Sequence, residues 1–309
     1  MIDFIEPRKV GVGLSYQRGL GDVIKAASGL IDFYEVSPDI LCHERISAGQ
    51  PCLYYNPKLL AETLDSTSDR PVVVHGLSLS IGTASGWNEQ YFRILDEFCA
   101  HRDPEWHSEH LSFMLTTLPD GSPIHTGVPL PLPYTDEAVE LIVPRAEAIV
   151  KRYGKPFLLE NLTHYLPELP SERGRDEIDF LNEITERSGC GLLLDLYNFH
   201  CNAVNFGFDA PDALSRLRLD RVVEIHVAGG VSHDGLLMDV HSEVVPEPVW
   251  ELLDWVTPRT PNLAGIVYEL MEQALRFVGI DNACRQIERA RAAWGKARHA
   301  AAAEGSNAA

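Results

Sequence analysis

The residues able to do chemistry stand at the ends of apolar runs. Pro71–His75 closes on His75, Glu105–His110 on His110 and Pro156–Glu160 on Glu160. Gly191–Asp195 closes on Asp195, Gly265–Glu269 on Glu269, and Val222–Val227 carries His226 one residue from its end. Singly, each has an ordinary structural explanation: a hydrogen-bonded strand-end imidazole, or a carboxylate capping the next helix. Six in succession are different, because ionisable groups are costly to bury unless paired or bound to a cation. Neutral imidazoles and ionised carboxylates sharing one volume form a donor set for metal ions. Three more ligand-type side chains lie in what read as loops: Asn198 after the sixth run, and Asp239 and His241 after the seventh, spaced so that both reach one ion. These donors exceed the about four to six that one transition metal takes, so two or three ions are implied. Oxygen and nitrogen without thiolate suit Fe, Mn or Zn. Glu160, central in the order, is the natural bridge. His200 is a further candidate, either supporting a ligand or facing substrate. His107 falls on the opposite face of its strand from His110 by simple alternation and reads as supporting.

The elements that must position these groups follow a repeat of apolar run, polar loop and helical-period segment. Val10–Leu14 and Phe33–Val36 complete a set of eight candidate strands. Most are apolar throughout, as strands buried on both faces must be. Helices are expected over Asn88–Ala100, Thr135–Tyr153, Asp176–Ser188, Pro246–Val256 and Asp281–Ala303, with Thr135 placed as an N-cap ahead of acidic residues. Strand and helix alternating eight times favour an α/β fold of the (β/α)8 TIM-barrel type, whose strand ends converge on one mouth. An open doubly wound sheet is the alternative, but Val10-Gly-Val-Gly-Leu14 lacks the third glycine of a dinucleotide loop. Its glycines are expected to relieve crowding inside the barrel. One barrel domain is expected over residues 1–280, with 281–309 a C-terminal helix decaying into a frayed, Ala-rich tail.

The 309 residues carry 26 Lys and Arg against 45 Asp and Glu, a formal charge of −19. That balance excludes a nucleic-acid-binding surface, which needs clustered cations. No apolar run is long enough for a membrane span. The acidic start, Met1-Ile-Asp-Phe-Ile-Glu6, does not read as a secretion signal, and six scattered cysteines without a CxxC pair read as reduced thiols. A cytoplasmic location is expected.

The words around the candidate ligands carry a resemblance. Val74-His-Gly-Leu-Ser-Leu-Ser-Ile-Gly82, Ser108-Glu-His-Leu111, Leu159-Glu-Asn161, Leu194-Asp-Leu-Tyr-Asn198 and Glu224-Ile-His-Val-Ala-Gly229 resemble, in order, the multinuclear non-heme iron-dependent oxidative enzymes, which include the oxidase of methanobactin biosynthesis. The ligand set is similar to that of the xylose-isomerase-like barrels, among them the trinuclear endonuclease IV type. The likeness spans roughly residues 8 to 280. It implies two or three irons in mixed Fe(II)/Fe(III) states. Glu160, Asp195, His226 and Glu269 would hold one. His75 and His110 would hold a second bridged by Glu160, and Asn198, Asp239 and His241 the third. It further implies an oxidoreductase of natural-product biosynthesis that uses O2 to modify a ribosomally made precursor peptide (a RiPP), at cysteine or a nearby residue. A separate partner protein recognising the peptide leader is expected as well. None of the chain's cysteines ends a strand of this array, so a reacting thiol would come from the substrate. The competing reading is a metal-dependent hydrolase or isomerase on the same barrel, of phosphodiesterase or sugar-isomerase type.

Overall fold

A computed structural model describes residues 2–47, 50–118 and 120–307. Eight parallel strands close a barrel in which sequence neighbours are spatial neighbours. They are Gly11–Ser15, Phe33–Val36, Val72–Gly76, His107–His110, Phe157–Glu160, Gly191–Asp195, Val222–Val227 and Gly265–Tyr268. The first pairs with the eighth and closes the ring, so no sheet edge is left open. The barrel is the expected architecture, and the open sheet is excluded.

The outer helices start where polar residues satisfy their first amide groups. Asn88 caps Glu89–His101, Thr135 caps Asp136–Tyr153, and Asp176 forms a reciprocal capping box with Asp179 at the head of Glu177–Ser188. Glu247–Val256 follows Pro246, and the last helix runs Ile280–Asn307. Residues 308 and 309 of the expected frayed tail lie outside the described residues. Among the described residues, no helix is long and apolar enough to cross a membrane, and all six cysteines are free.

Two regions depart from the sequence expectation. Asn198 and His200 are not in a loop: a helix, Leu196–Phe206, starts directly after the sixth strand. Its buried face (Leu196, Tyr197, Phe199, Ala203) fixes it against the barrel, and Asp195 caps it through Oδ1, 2.6 Å from the Asn198 amide. The stretch after the fourth strand is a hairpin, Ser112–Thr117 with Pro123–Pro131. A second hairpin, Cys42–Ser47 with Gln50–Tyr55, follows the second strand. Both are two-stranded sheets separate from the barrel.

Alternation along the strands builds two layers inside the barrel. Phe33, Val73, Trp106, Leu158, Leu193 and Val267 form a fully buried apolar cluster. Two residues further along, on the same faces, stand Glu35, His75, Ser108, Glu160, Asp195 and Glu269. An apolar floor thus supports a polar layer. Gly13 makes room for that floor, since a Cβ there would sit 2.6 Å from the Phe33 ring, which is the crowding expected of the first strand. Gly76 does the same beside His75, where Tyr91 Oη and the Glu109 carboxylate occupy the space of a Cβ.

Candidate metal centre

The polar layer brings the expected ligands together. His75 Nε2 and His110 Nε2 lie 3.4 and 3.3 Å from Glu160 Oε2. His226 Nδ1 lies 3.0 Å from Glu269 Oε2, and His241 Nε2 lies 2.7 Å from Asp239 Oδ1 and 3.8 Å from Glu269 Oε2. Three groups at the mouth have ligand atoms mutually within 4.8 Å: His75–His110–Glu160, Glu160–Asp195–His226 and Asp195–His241–Glu269. Glu160 and Asp195 each belong to two groups, as bridging carboxylates must. Asp239 stands beside His241, so the third group draws on Asp195 and Glu269 as well as on the residues after the seventh strand.

Unpaired atoms test whether this set fits metal ions. Glu160 Oε2 and Asp195 Oδ2 are buried without a hydrogen-bond partner, and His226 Nδ1, His241 Nε2 and Asp239 Oδ1 have ion-pair neighbours but no aligned hydrogen bond. Buried polar atoms are paired in the great majority of cases, and here the unpaired ones are donors facing shared volumes. Asp195 divides its labour: Oδ1 caps the helix and Oδ2 is left free. The residues fit a multinuclear metal centre.

Neighbours hold these ligands in place. The Ser108 hydroxyl donates to Val74 O at 3.2 Å, so it accepts from His75 Nδ1 at 3.0 Å and leaves Nε2 as the free lone pair. Asn161 and Asp195 clamp the fifth and sixth strand ends by reciprocal side chain to backbone bonds of 3.0 and 2.9 Å. Asn161 is thereby buried with its amide committed to the clamp, so the match of Asn161-Leu-Thr163 to a glycosylation sequon is one of chance. The Asn198 amide donates to Glu160 Oε1 at 3.3 Å and Asn161 O at 3.2 Å, and its oxygen accepts from Thr163 at 2.6 Å. Asn198 therefore touches Glu160, the carboxylate shared by two of the groups. His241 takes a left-handed backbone, φ 48°, a strained conformation for a non-glycine residue that its site-bearing loop holds in place. Its carbonyl accepts from Met271 N at 2.9 Å. His200 is half-buried near the Tyr197 ring and joins none of these ligand groups. His107 packs against Tyr91, whose hydroxyl lies 2.9 Å from its Nε2, on the opposite face from His110 as alternation requires.

Sequence reasoning missed two acids of the polar layer. Glu35 Oε2 lies 2.8 Å from His226 Nε2. Glu224 Oε1 lies 3.9 Å from the same nitrogen, and its Oε2 accepts from Trp106 Nε1 at 2.8 Å. A carboxylate inside an otherwise apolar strand, as in Phe33-Tyr-Glu-Val36, was the available signal.

Burial pulls His75 well below the usual imidazole range and His110 down to about 4, so both are neutral and ready to ligate near pH 7. Burial pushes Glu160 well up, and burial followed by Asp239 pushes Asp195 up to about 7. For His241, burial opposes protonation, but Glu269 and Asp239 outweigh it and raise the ring to about 10. At pH 7 the metal-free centre thus carries a proton on His241 and partly one on Asp195, while Glu160 and, against its burial but through Glu269 and Glu35, His226 are shifted toward their protonated forms, and cations must displace these protons. Metal uptake is expected to release about one proton or more per chain, and affinity to fall as pH drops below neutrality. Calorimetric titration in two buffers of different ionisation enthalpy measures this, and uptake without proton release would refute it.

The closed ring of eight parallel strands, with ligand-type side chains at one set of strand ends, is a (β/α)8 TIM barrel. Two sugar epimerases share that fold: 3-keto-D-glucoside 4-epimerase from E. coli (TM-score 0.51, 15% identity, 90% of this chain and 98% of the other) and D-psicose 3-epimerase from Clostridium cellulolyticum (0.52, 12%, 95% and 99%). Sequence narrows the class further. The profile described as RiPP precursor modification enzyme MbnB/TglH/ChrH matches residues 10–294, and the chain belongs to this family. Similar chains include a UPF0276 protein of Caulobacter vibrioides, 32% identical over 270 residues (87% of this chain, 88% of the other). Another is a UPF0276 protein of Pseudomonas aeruginosa, 33% identical over 248 residues (79% of each).

Proposed function

We propose that this enzyme oxidatively modifies a ribosomally made precursor peptide, at cysteine or a nearby residue, using two or three irons and O2. The family supports a peptide substrate. The observation that carries the metal is the convergence of unpaired buried donor atoms on adjoining volumes. His75, His110 and Glu160 would hold one iron, and Glu160, Asp195, His226 and Glu269 a second. His241 and Asp239 would hold a third, with Asn198 beside them. Bound iron would supply electron transfer with O2 and an electrophilic position for a substrate thiolate.

The chain's own part is reception and exclusion. The centre lies at the base of a cavity of about 860 Å³. Its walls include Ile40, Leu41, Leu77, Pro129 and Met271, and its floor includes His75, His110, Glu160, His241 and Glu269. That apolar wall over an ionic floor admits a peptide side chain while shedding water around it. No cysteine of the chain is in the ligand groups, so the thiol belongs to the substrate. A separate leader-recognising protein and a cytoplasmic setting complete the reading. His200, half-buried outside the ligand groups, is proposed to contact substrate rather than metal.

The test is anaerobic purification, metal quantification and O2 consumption in the presence of a precursor peptide. Iron with peptide-dependent O2 uptake is expected. Zinc with no O2 uptake would replace the proposal with the hydrolase or isomerase reading, for which the epimerase likeness is one of fold alone.

A further inference from the structure

The polar layer contains a histidine whose two ring nitrogens face different surroundings. His226 is fully buried. Its Nδ1 faces Glu269 Oε2 at 3.0 Å on the side of the mouth, an ion-pair contact without an aligned hydrogen bond. Its Nε2 faces away, toward Glu35 at 2.8 Å, with Glu224 behind at 3.9 Å. Neutral imidazole offers one lone pair and one N–H, and the partner of the second nitrogen decides which is which. A cation at the mouth needs the lone pair on Nδ1. The proton must then sit on Nε2, and something beneath must accept it. Glu35 is 1% exposed and Glu224 0% exposed, so bulk solvent does not reach the nitrogen from this side.

We propose that Glu35 is the positioning residue of the centre: by accepting the Nε2 proton it turns Nδ1 of His226 to the metal. The proposal rests on the metal-centre reading and deepens it. Glu35 is placed for this by the strand itself, two residues after Phe33 of the apolar floor, so its carboxylate rises into the layer of the ligands. Glu224 is the weaker partner by distance, its Oε1 standing 3.9 Å from Nε2 against 2.8 Å for Glu35, and its Oε2 is held by Trp106 Nε1. His75 is arranged the opposite way, with Ser108 holding Nδ1 and Nε2 facing Glu160. The two imidazoles therefore ligate through different nitrogens, and each choice is made by its buried neighbour.

The experiment loads metal-free protein, labelled with 15N-histidine, with Zn(II) and records long-range 1H–15N correlations. His226 is expected to show Nδ1 bound to zinc and Nε2 protonated, and His75 the reverse. Glu35→Ala is expected to weaken Zn(II) binding about 10–100-fold, the usual cost of losing such a partner, and to change the pattern of His226 while leaving those of His75 and His110. Glu35→Gln keeps the volume and an accepting oxygen, so it should retain the tautomer and lose less affinity. Zinc on Nε2 of His226, or unaltered affinity in Glu35→Ala, overturns the proposal. Should Glu35→Ala fail to fold, the wild-type spectrum and Glu35→Gln decide. Wild-type protein that binds no zinc would instead overturn the metal centre, and this inference with it.

Discussion

Glu160→Gln is expected to abolish peptide modification while leaving the metal-free protein at least as stable as the wild type. The carboxylate is buried, with Oε2 unpaired and within 3.4 Å of two imidazole nitrogens. Burial alone makes its charge costly, so a neutral amide of equal size relieves the empty fold. For the ions the same change removes a shared ligand from two of the groups at the mouth. The loss in affinity should exceed the roughly 10–100-fold that follows removal of a partner outside the ligand set. Metal content after gel filtration, together with thermal unfolding in chelator, separates the two effects. A variant that retains full metal, or is strongly destabilised without it, would make Glu160 a structural acid instead.

The second large effect is the stabilisation of the whole barrel by its metal. The ligands come from six of the eight strands, from His75 in the third to Glu269 just past the eighth, plus the loop carrying Asp239 and His241. Binding ions between them ties most of the ring together at one end. A ligand present at a thousand times its dissociation constant adds about 4 kcal/mol to a fold that binds it. For a chain of this length that is a rise in Tm on the order of 10 °C. Scanning calorimetry of chelated protein with and without Fe(II), under anaerobic conditions, measures it. Because His241 and Asp195 must give up protons, the increment should shrink as pH falls from 8 toward 6. An increment that is absent, or that grows on acidification, would contradict the account.

Much of this was legible before any coordinates. Apolar runs long enough for one barrel strand, each closed by an ionisable residue, locate both the element and its working end, because burial tolerates such a residue only where something pairs it. His75, His110, Glu160, Asp195 and Glu269 were visible for that reason. Asp239 and His241 were visible through their spacing, although His241 owes its position to a left-handed backbone that spacing does not reveal. The helix bearing Asn198 and His200 was missed because it begins without a linker, on the residue after Asp195, whose Oδ1 caps it while Oδ2 is left to the candidate centre. The hairpin after the fourth strand is hard to read in the sequence because Gly and Pro punctuate residues 121–133 as they would a loop. Glu35 and Glu224 were hidden inside apolar runs. Period two shows Glu224 and His226 sharing a face, but which acid meets which nitrogen is a matter of tertiary geometry.

Crystals of anaerobically purified protein, measured on both sides of the iron absorption edge, test the centre most directly. Two or three anomalous peaks are expected, each within bonding distance of the groups joined by Glu160 and Asp195, with Glu160 touching two of them. A map with no iron among His75, His110, Glu160, Asp195, His226, His241 and Glu269 would contradict the account.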